Sequence, residues 1–276
     1  AETPMESNVS PAKIVALLTD FGASDPYVGV MKGVILGVCP AARIVDLCHD
    51  VPAQDILAGA LMLQASYQYF PAGTVFVAVV DPGVGSARRA VAAEADRRFF
   101  VCPDNGLLSG VANRTPIARA VELTNTEYFL PRVSHTFHGR DVFAPVAAQL
   151  AAGTPLGAFG MPVADLVTIP ISEAEPAPDG WEAHVLYIDR FGNAVTDLRE
   201  EAMADLDPRG IRFSIGERTI EGLSRSYADV PEGEPVALVG SWGYVEISIR
   251  NGSAAEQLGL CRGDAVTARR APSDAA

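Results

Sequence analysis

The run I-V-A-L-L-T-D-F-G, Ile14 to Gly22, decides how this chain is read. An unbroken apolar stretch, Ile14 to Leu18, stops at Thr19-Asp20, as a buried strand does when it delivers polar side chains at its carboxyl end. Helical spacing of apolar residues follows over Tyr27 to Val38, with Pro40 as a stop. Arg43 to Leu47 reads as a second strand, and Asp55 to Phe70 as a helix with Ile56, Ala60, Leu63 and Tyr67 on one stripe. Thr74 to Val80 is a third strand, ending at Asp81-Pro82-Gly83. Ala90 to Ala95 and Phe99 to Cys102 read as a strand pair, and Asp141 to Ala152 as a helix. Alternating strands and helices predict a layered α/β domain with a mostly parallel sheet. Ligands of such sheets bind beyond the carboxyl ends of the strands, where Thr19-Asp20 and Asp81 stand.

The pattern changes near residue 170. A Pro- and acid-rich stretch, 171–181, reads as a linker. Short alternating segments follow: Ala183 to Ile188, Ile211 to Ile215, Thr219 to Ile220, Pro235 to Val239, Tyr244 to Ile249 and Ala265 to Arg269. They predict a smaller antiparallel β-barrel, with a short helix within Asn251 to Leu258. The expected division is a disordered tail over 1–12, an N-terminal α/β domain over 13–170, the linker, a C-terminal barrel over 182–270 and a tail over 271–276.

Composition narrows the function. The chain has 276 residues, 49% of them hydrophobic and 20% charged, which excludes a disordered polar chain. A net charge of −13 argues against nucleic acid or an anionic membrane as a partner. No run of about 18 uncharged apolar residues predicts a membrane span. Cys39, Cys48, Cys102 and Cys261 form no C-x-x-C pair, so they read as thiols of a reducing compartment, the cytoplasm, rather than zinc ligands.

Several motifs could carry chemistry. Asp20 and Asp25 lie in T-D-F-G-A-S-D-P-Y; a carboxylate there can accept two hydrogen bonds from a ribose diol, or cap the next helix. Asp81 opens D-P-G-V-G-S-A-R-R, whose two glycines permit close backbone approach to a ligand. Arg88, seven residues on, can fold back onto Asp81 as a catalytic pair or a structural one. His138, in H-T-F-H-G-R-D, can orient water or shuttle a proton. His49 and Asp50 are weaker candidates, and no H-x-x-x-H or D-x-D pair points to a metal. Asp189 and Asn193, in D-R-F-G-N, form either a hairpin turn or an adenine-reading pair. Ser241-Trp242-Gly243-Tyr244 and Arg250-Asn251-Gly252-Ser253 are open to both readings too.

In order, T-D-F-G-x-x-D-x-Y-V-G-x-M-K-G, V-V-D-P-G-V-G-S-x-R, P-D-N-G-L-L, F-H-G-R-D-x-F-A-P, D-x-F-G-N-x-x-T and G-Y-x-E-I resemble the S-adenosyl-L-methionine hydroxide adenosyltransferases, relatives of the fluorinase and chlorinase enzymes. The resemblance runs from about Ile14 to about Val266. It implies hydrolysis of S-adenosyl-L-methionine to adenosine and L-methionine, with that molecule as substrate and no cofactor. It also implies a homotrimer whose sites lie between one subunit's N-terminal domain and a neighbour's C-terminal domain. The family's catalytic Asp-Arg-His set carries over to Asp81, Arg88 and His138. Asp20 resembles the ribose-diol acceptor, Asp189 the partner of the methionine ammonium and Asn193 the adenine reader, helped by backbone near Gly252 and Ser253. Ser241 and nearby backbone stand nearest the methionine carboxylate; Asp25, Phe137, Gly139, Phe191 and Trp242 complete the implied substrate contacts.

Departures from the halogenating relatives are informative. They carry a Tyr where this chain has Asp81 and a Trp where it has Gln54; fluorinases have an Arg where it has Trp242 and a Ser where it has Gly139, a position at which the chlorinase also has Gly. The long fluorinase insertion after the strand starting at Ala90 is replaced by a tight turn at Asp96-Arg97-Arg98. Three other readings remain: a binding protein that senses S-adenosylmethionine or adenosine, a metal-assisted phosphohydrolase using Asp20, His49, Asp50 and His138, and a chloride-using transferase.

Overall fold

The computed structural model describes residues 13–204 and 207–270; the expected tails over 1–12 and 271–276 lie outside the described residues. The chain divides into two compact units, Ala1–Ile171 and Ser172–Ala276.

In the first unit, strands β1 (Ile14–Thr19), β2 (Arg43–Cys48) and β3 (Val75–Val79) alternate with helices α1 (Tyr27–Val38) and α2 (Ile56–Ser66). Then come β4 (Ala90–Ala95), β5 (Arg98–Pro103), the short α3 (Ser109–Ala112), β6 (Ile117–Glu122) and α4 (Ala144–Ala152). The sheet order is β2-β1-β3-β5-β4-β6. Its first four strands are parallel, and β4 pairs antiparallel with both β5 and the edge strand β6. Helix α1 contains Gly29, Gly33 and Gly37, which weaken its intrinsic preference. It is held instead by burying Val28, Met31 and Ile35 in a core shared with β1, β3 and α4.

The long helix expected over Asp55 to Phe70 is α2 followed by a 3₁₀ turn at Tyr67–Tyr69. Asp55 caps it, accepting from the Ala58 N–H at 2.9 Å. The helix is buried around most of its girth rather than on one stripe, with Ala58, Gly59, Leu61 and Gln64 all inside. The expected helix from Asp141 opens as a π-turn over Gly139–Phe143 before becoming α4. Between β4 and β5, Asp96 and Arg97 both adopt positive φ (46° and 59°), the backbone of a two-residue hairpin turn.

The second unit holds β7 (Glu175–Ala177), β8 (Gly180–Ile188), β9 (Ala194–Arg199), β10 (Ile211–Ile215), β11 (Arg218–Glu221), β12 (Pro235–Val239), β13 (Tyr244–Ile249), α5 (Ala254–Leu258) and β14 (Ala265–Arg270). Stretch 171–181 therefore carries β7 and the start of β8. Strand order is β11-β10-β14-β8-β9-β13-β12, antiparallel throughout, with β7 on β8. β8 pairs with β14 through its first half and with β9 through its second. A parallel bridge between Ser224 and Leu238 brings the two sheet ends together, which makes the unit nearly a barrel. Phe213, Val245, Ile247, Val266 and their neighbours fill its interior.

Candidate active site

Asp81 lies two residues past the end of β3, at the carboxyl edge of the parallel sheet. Asn105 holds that strand end, donating from Nδ2 to the Val80 carbonyl at 2.9 Å. Arg88 folds back as its spacing allows. Its Nε donates to Asp81 Oδ1 at 2.9 Å, and its Nη2 also bonds Asp81 Oδ2. The same Nη2 donates to Nδ1 of His138 at 2.8 Å. The Asp81 and Arg88 side chains are 5% and 11% exposed, so the pair is sheltered from water. Phe143 lies 5.3 Å beneath the guanidinium carbon of Arg88. Burial, and then the Arg88 charge, push His138 below the ordinary imidazole value.

The loop ahead of His138 is fixed from below. Asp141 is fully buried and accepts from the Ser134 N–H at 2.8 Å and from Arg140 Nε at 2.6 Å. Burial alone would raise its pKa, but these bonds bring it below the usual carboxylate value. One glycine of D-P-G-V-G is required by the fold itself. Gly85 (φ +77°) lies against the backbone carbonyl of His135, where any Cβ would collide. That contact brings the Asp81 and His138 loops side by side.

Asp20 accepts the Gln54 backbone N–H on Oδ2 at 2.8 Å. Asp25 is exposed and does not cap α1, whose N-cap is Pro26 without a side-chain bond. Phe137 packs edge-to-face on Phe21 (5.8 Å) and Tyr27 (5.3 Å). Gly139 is buried beneath them; a Cβ there would press on Met31 Sδ and Phe137 at 3.2 Å. Both ring nitrogens of His49 are engaged, by Thr19 Oγ1 at 2.9 Å and Asp46 at 3.0 Å. Among the described residues, no three His, Cys, Asp or Glu side chains are arranged to hold a metal ion.

The second unit carries a cavity of about 480 Å³ lined by Asp189, Asn193, Tyr227, Ser241, Trp242 and Glu246, among others. A neighbouring hollow of about 500 Å³ shares Phe191, Asn193 and Tyr227 and reaches Asn251 and Gly252. Asp189 builds the turn between β8 and β9: Oδ1 accepts the N–H groups of Phe191 and Asn193, and Oδ2 accepts Asn193 Nδ2 at 3.0 Å. So D-R-F-G-N is both the expected turn and part of the cavity wall. Trp242 stacks on Tyr187 at 5.3 Å, and Phe191 is 76% exposed beside the groove. Ser253 spends its hydroxyl capping α5. Tyr227 and Glu246 went unassigned in the sequence. Glu246 stands in G-Y-x-E-I without a visible role, and nothing local marks Tyr227.

A carboxylate, a guanidinium and an imidazole gathered at the carboxyl edge of the first unit's sheet, in a chain whose second unit carries a polar ligand-sized groove, define an α/β enzyme of small-molecule chemistry. The SAM hydroxide adenosyltransferase N-terminal domain model matches residues 15–160, and the C-terminal domain model matches 183–267. The chain belongs to the SAM hydroxide adenosyltransferase family. It is 43% identical over 258 residues to an (R)-S-adenosyl-L-methionine hydrolase of Thermus thermophilus, covering 90% of this chain and 96% of that one. A protein of the same description from Salinispora tropica is 40% identical over 259 residues, covering 93% and 97%. A fluorinase of Nocardia brasiliensis is more distant, at 30% over 289 residues, covering 92% and 95%. Among solved structures, an uncharacterized conserved protein from Thermotoga maritima superposes with a TM-score of 0.88 at 33% identity, covering 93% of this chain and all of that one.

Proposed function

We propose that this chain hydrolyses S-adenosyl-L-methionine, as its relatives are named for doing, and that the products are adenosine and L-methionine. The observation that carries the reading is the Arg88 guanidinium bonded at once to Asp81 and His138. Water attacks C5′ in line; its oxygen bonds to C5′, the C5′–S electron pair passes to sulfur, and neutral methionine leaves. Charge is consumed on the way to the transition state, so a sheltered site favours the step and no strong acid is needed.

The hydrogen bonds support Asp81 rather than His138 as the proton acceptor. Arg88 donates only, so neutral His138 accepts at Nδ1 and carries its own hydrogen on Nε2. Nε2–H can donate to the oxygen of the attacking water and hold it, but it offers no lone pair. Asp81, whose Oδ1 accepts one bond from Arg88 and keeps a lone pair while Oδ2 accepts two, takes the proton. The halide-using alternative is disfavoured because Asp81 puts an anionic group where a halide would have to be desolvated.

In the second unit, Asn193 and the backbone near Gly252 suit the adenine, and Asp189 and Ser241 the amino-acid end. Asp20 retains Oδ1 for the ribose diol. No cofactor is required. Assembly as a homotrimer, with the catalytic group and the groove contributed by different copies, is what the family resemblance implies. Free thiols at all four cysteines accord with the cytoplasm.

The test is mass spectrometry of products formed in ¹⁸O-water containing chloride. Adenosine labelled at its 5′ oxygen with free methionine is expected. Saturable binding without products would mean a sensor, and chlorinated adenosine a halide transferase. Mixing Asp81→Asn and Asn193→Ala proteins, each impaired alone, is expected to restore activity if two copies build each site.

A further inference from the structure

We propose that Glu246 is a ligand-contacting carboxylate which, together with Asp189, selects the cationic amino-acid end of the substrate. This rests on the reading of the second-unit cavity as the place of that amino-acid moiety.

Glu246 lies in the middle of β13, a strand buried at every position, and is itself 6% exposed. A carboxylate at such a place is costly without partners. Two are present, and both bond the same oxygen: Tyr227 OH donates to Oε1 at 2.5 Å and Ser248 Oγ at 3.1 Å. The other oxygen, Oε2, lies over Gly240, and both residues line the cavity. Gly240 has no left-handed backbone to explain a glycine; what it supplies is room, since any Cβ would collide with Oε2. One carboxylate oxygen is thus anchored and the other is left at the cavity wall.

Asp189 is less free than its position suggests, because three donors of its own turn occupy its oxygens. An ammonium group offers three N–H donors, more than Asp189 alone can satisfy. The two carboxylates also act on each other. Burial raises the proton affinity of Glu246, and the charge of Asp189 adds to it. A cation seated between them relieves that repulsion; a neutral ligand does not. Arg225 is the cationic side chain among the described lining residues and suits the α-carboxylate of the same amino acid. The cavity thereby presents complementary charges to an amino acid, with one carboxylate in excess for its net positive charge as a sulfonium.

The experiment compares wild-type protein and Glu246→Gln on two substrates, S-adenosylmethionine and its analogue lacking the α-amino group, with adenosine affinity measured alongside. Wild type is expected to favour S-adenosylmethionine, mainly through KM. In Glu246→Gln that preference is expected to shrink by about 10- to 100-fold, the size of a lost charge-assisted hydrogen bond, with adenosine affinity unchanged. Gly240→Ala, which keeps the carboxyl group but displaces Oε2, is expected to shrink it likewise and carries the test should Glu246→Gln fold poorly. An undiminished preference in a folded variant overturns the proposal, as does an equal loss of adenosine affinity, which would mark a structural role through Tyr227. Wild-type protein that neither binds nor hydrolyses S-adenosylmethionine overturns the hydrolase reading itself.

Discussion

Arg88 donates from Nη2 to Nδ1 of His138 across 2.8 Å while the same guanidinium bonds Asp81 through Nε. One planar cation therefore sets both the orientation of the carboxylate and the tautomer of the imidazole. A lysine, with a single point charge, cannot hold both partners in that geometry.

Under the proposed mechanism, turnover depends on that arrangement. Asp81→Asn keeps the shape but removes the proton acceptor, and a loss of about 10²-fold or more in kcat is expected. Arg88→Lys is expected to cost about 10- to 100-fold by releasing His138. Methionine release measured at saturating substrate checks both; unchanged turnover in Asp81→Asn would remove Asp81 from the mechanism.

Under the proposed mechanism, the acid limb of activity is expected to follow His138. Burial and Arg88 lower its pKa from 6.5, so the folded protein favours the neutral ring. Its contribution to stability is accordingly present above pH 6.5 and is lost as pH falls through the lower folded value. Neutral, correctly bonded His138 persists below pH 6.5, and activity is expected to fall with a midpoint under that value. A pH profile of kcat/KM reads it; a midpoint above 6.5 that vanishes in His138→Asn contradicts the assignment.

Gly85→Ala forces a Cβ onto the His135 carbonyl and an L residue into φ +77°. Strain of about 1–3 kcal/mol is expected in thermal unfolding. Because the contact joins the Asp81 and His138 loops, activity at 25 °C is expected to fall in protein that is still folded. Normal activity with only a lowered Tm would show that the two loops are registered by other contacts.

Asp141→Asn loses charge-assisted bonds to Arg140 and the Ser134 N–H inside the first unit. Destabilisation of about 1.5–3 kcal/mol is expected in urea unfolding. The pKa of Asp141 is lowered, so the wild-type advantage is present above pH 3.8 and disappears as pH falls through the folded value. An advantage that instead grows in acid would contradict the charged assignment.

The central strands β1 and β3 are legible because they are buried on both faces and read as apolar runs. The expected bounds of α1, Tyr27–Val38, coincide with the helix, since Val28, Met31 and Ile35 form one buried stripe. β9 is not legible. Buried at five of its six positions, with Thr196 and Asp197 inside, it shows neither alternation nor an apolar run. β6, an edge strand interrupted by Arg119, is equally quiet in sequence.

Residue order alone determines the α/β-then-β layout, the strand ends that carry Asp20 and Asp81, and the family motifs, because periodicity and turn residues are local properties. Tertiary structure decides what those residues meet. The sharing of Arg88 between Asp81 and His138, the seating of Gly85 on His135, and the pairing of Tyr227 with Glu246 join positions 7 to 50 residues apart. No periodicity encodes such contacts; they exist only once burial has brought the loops together and obliged each polar group to find a partner.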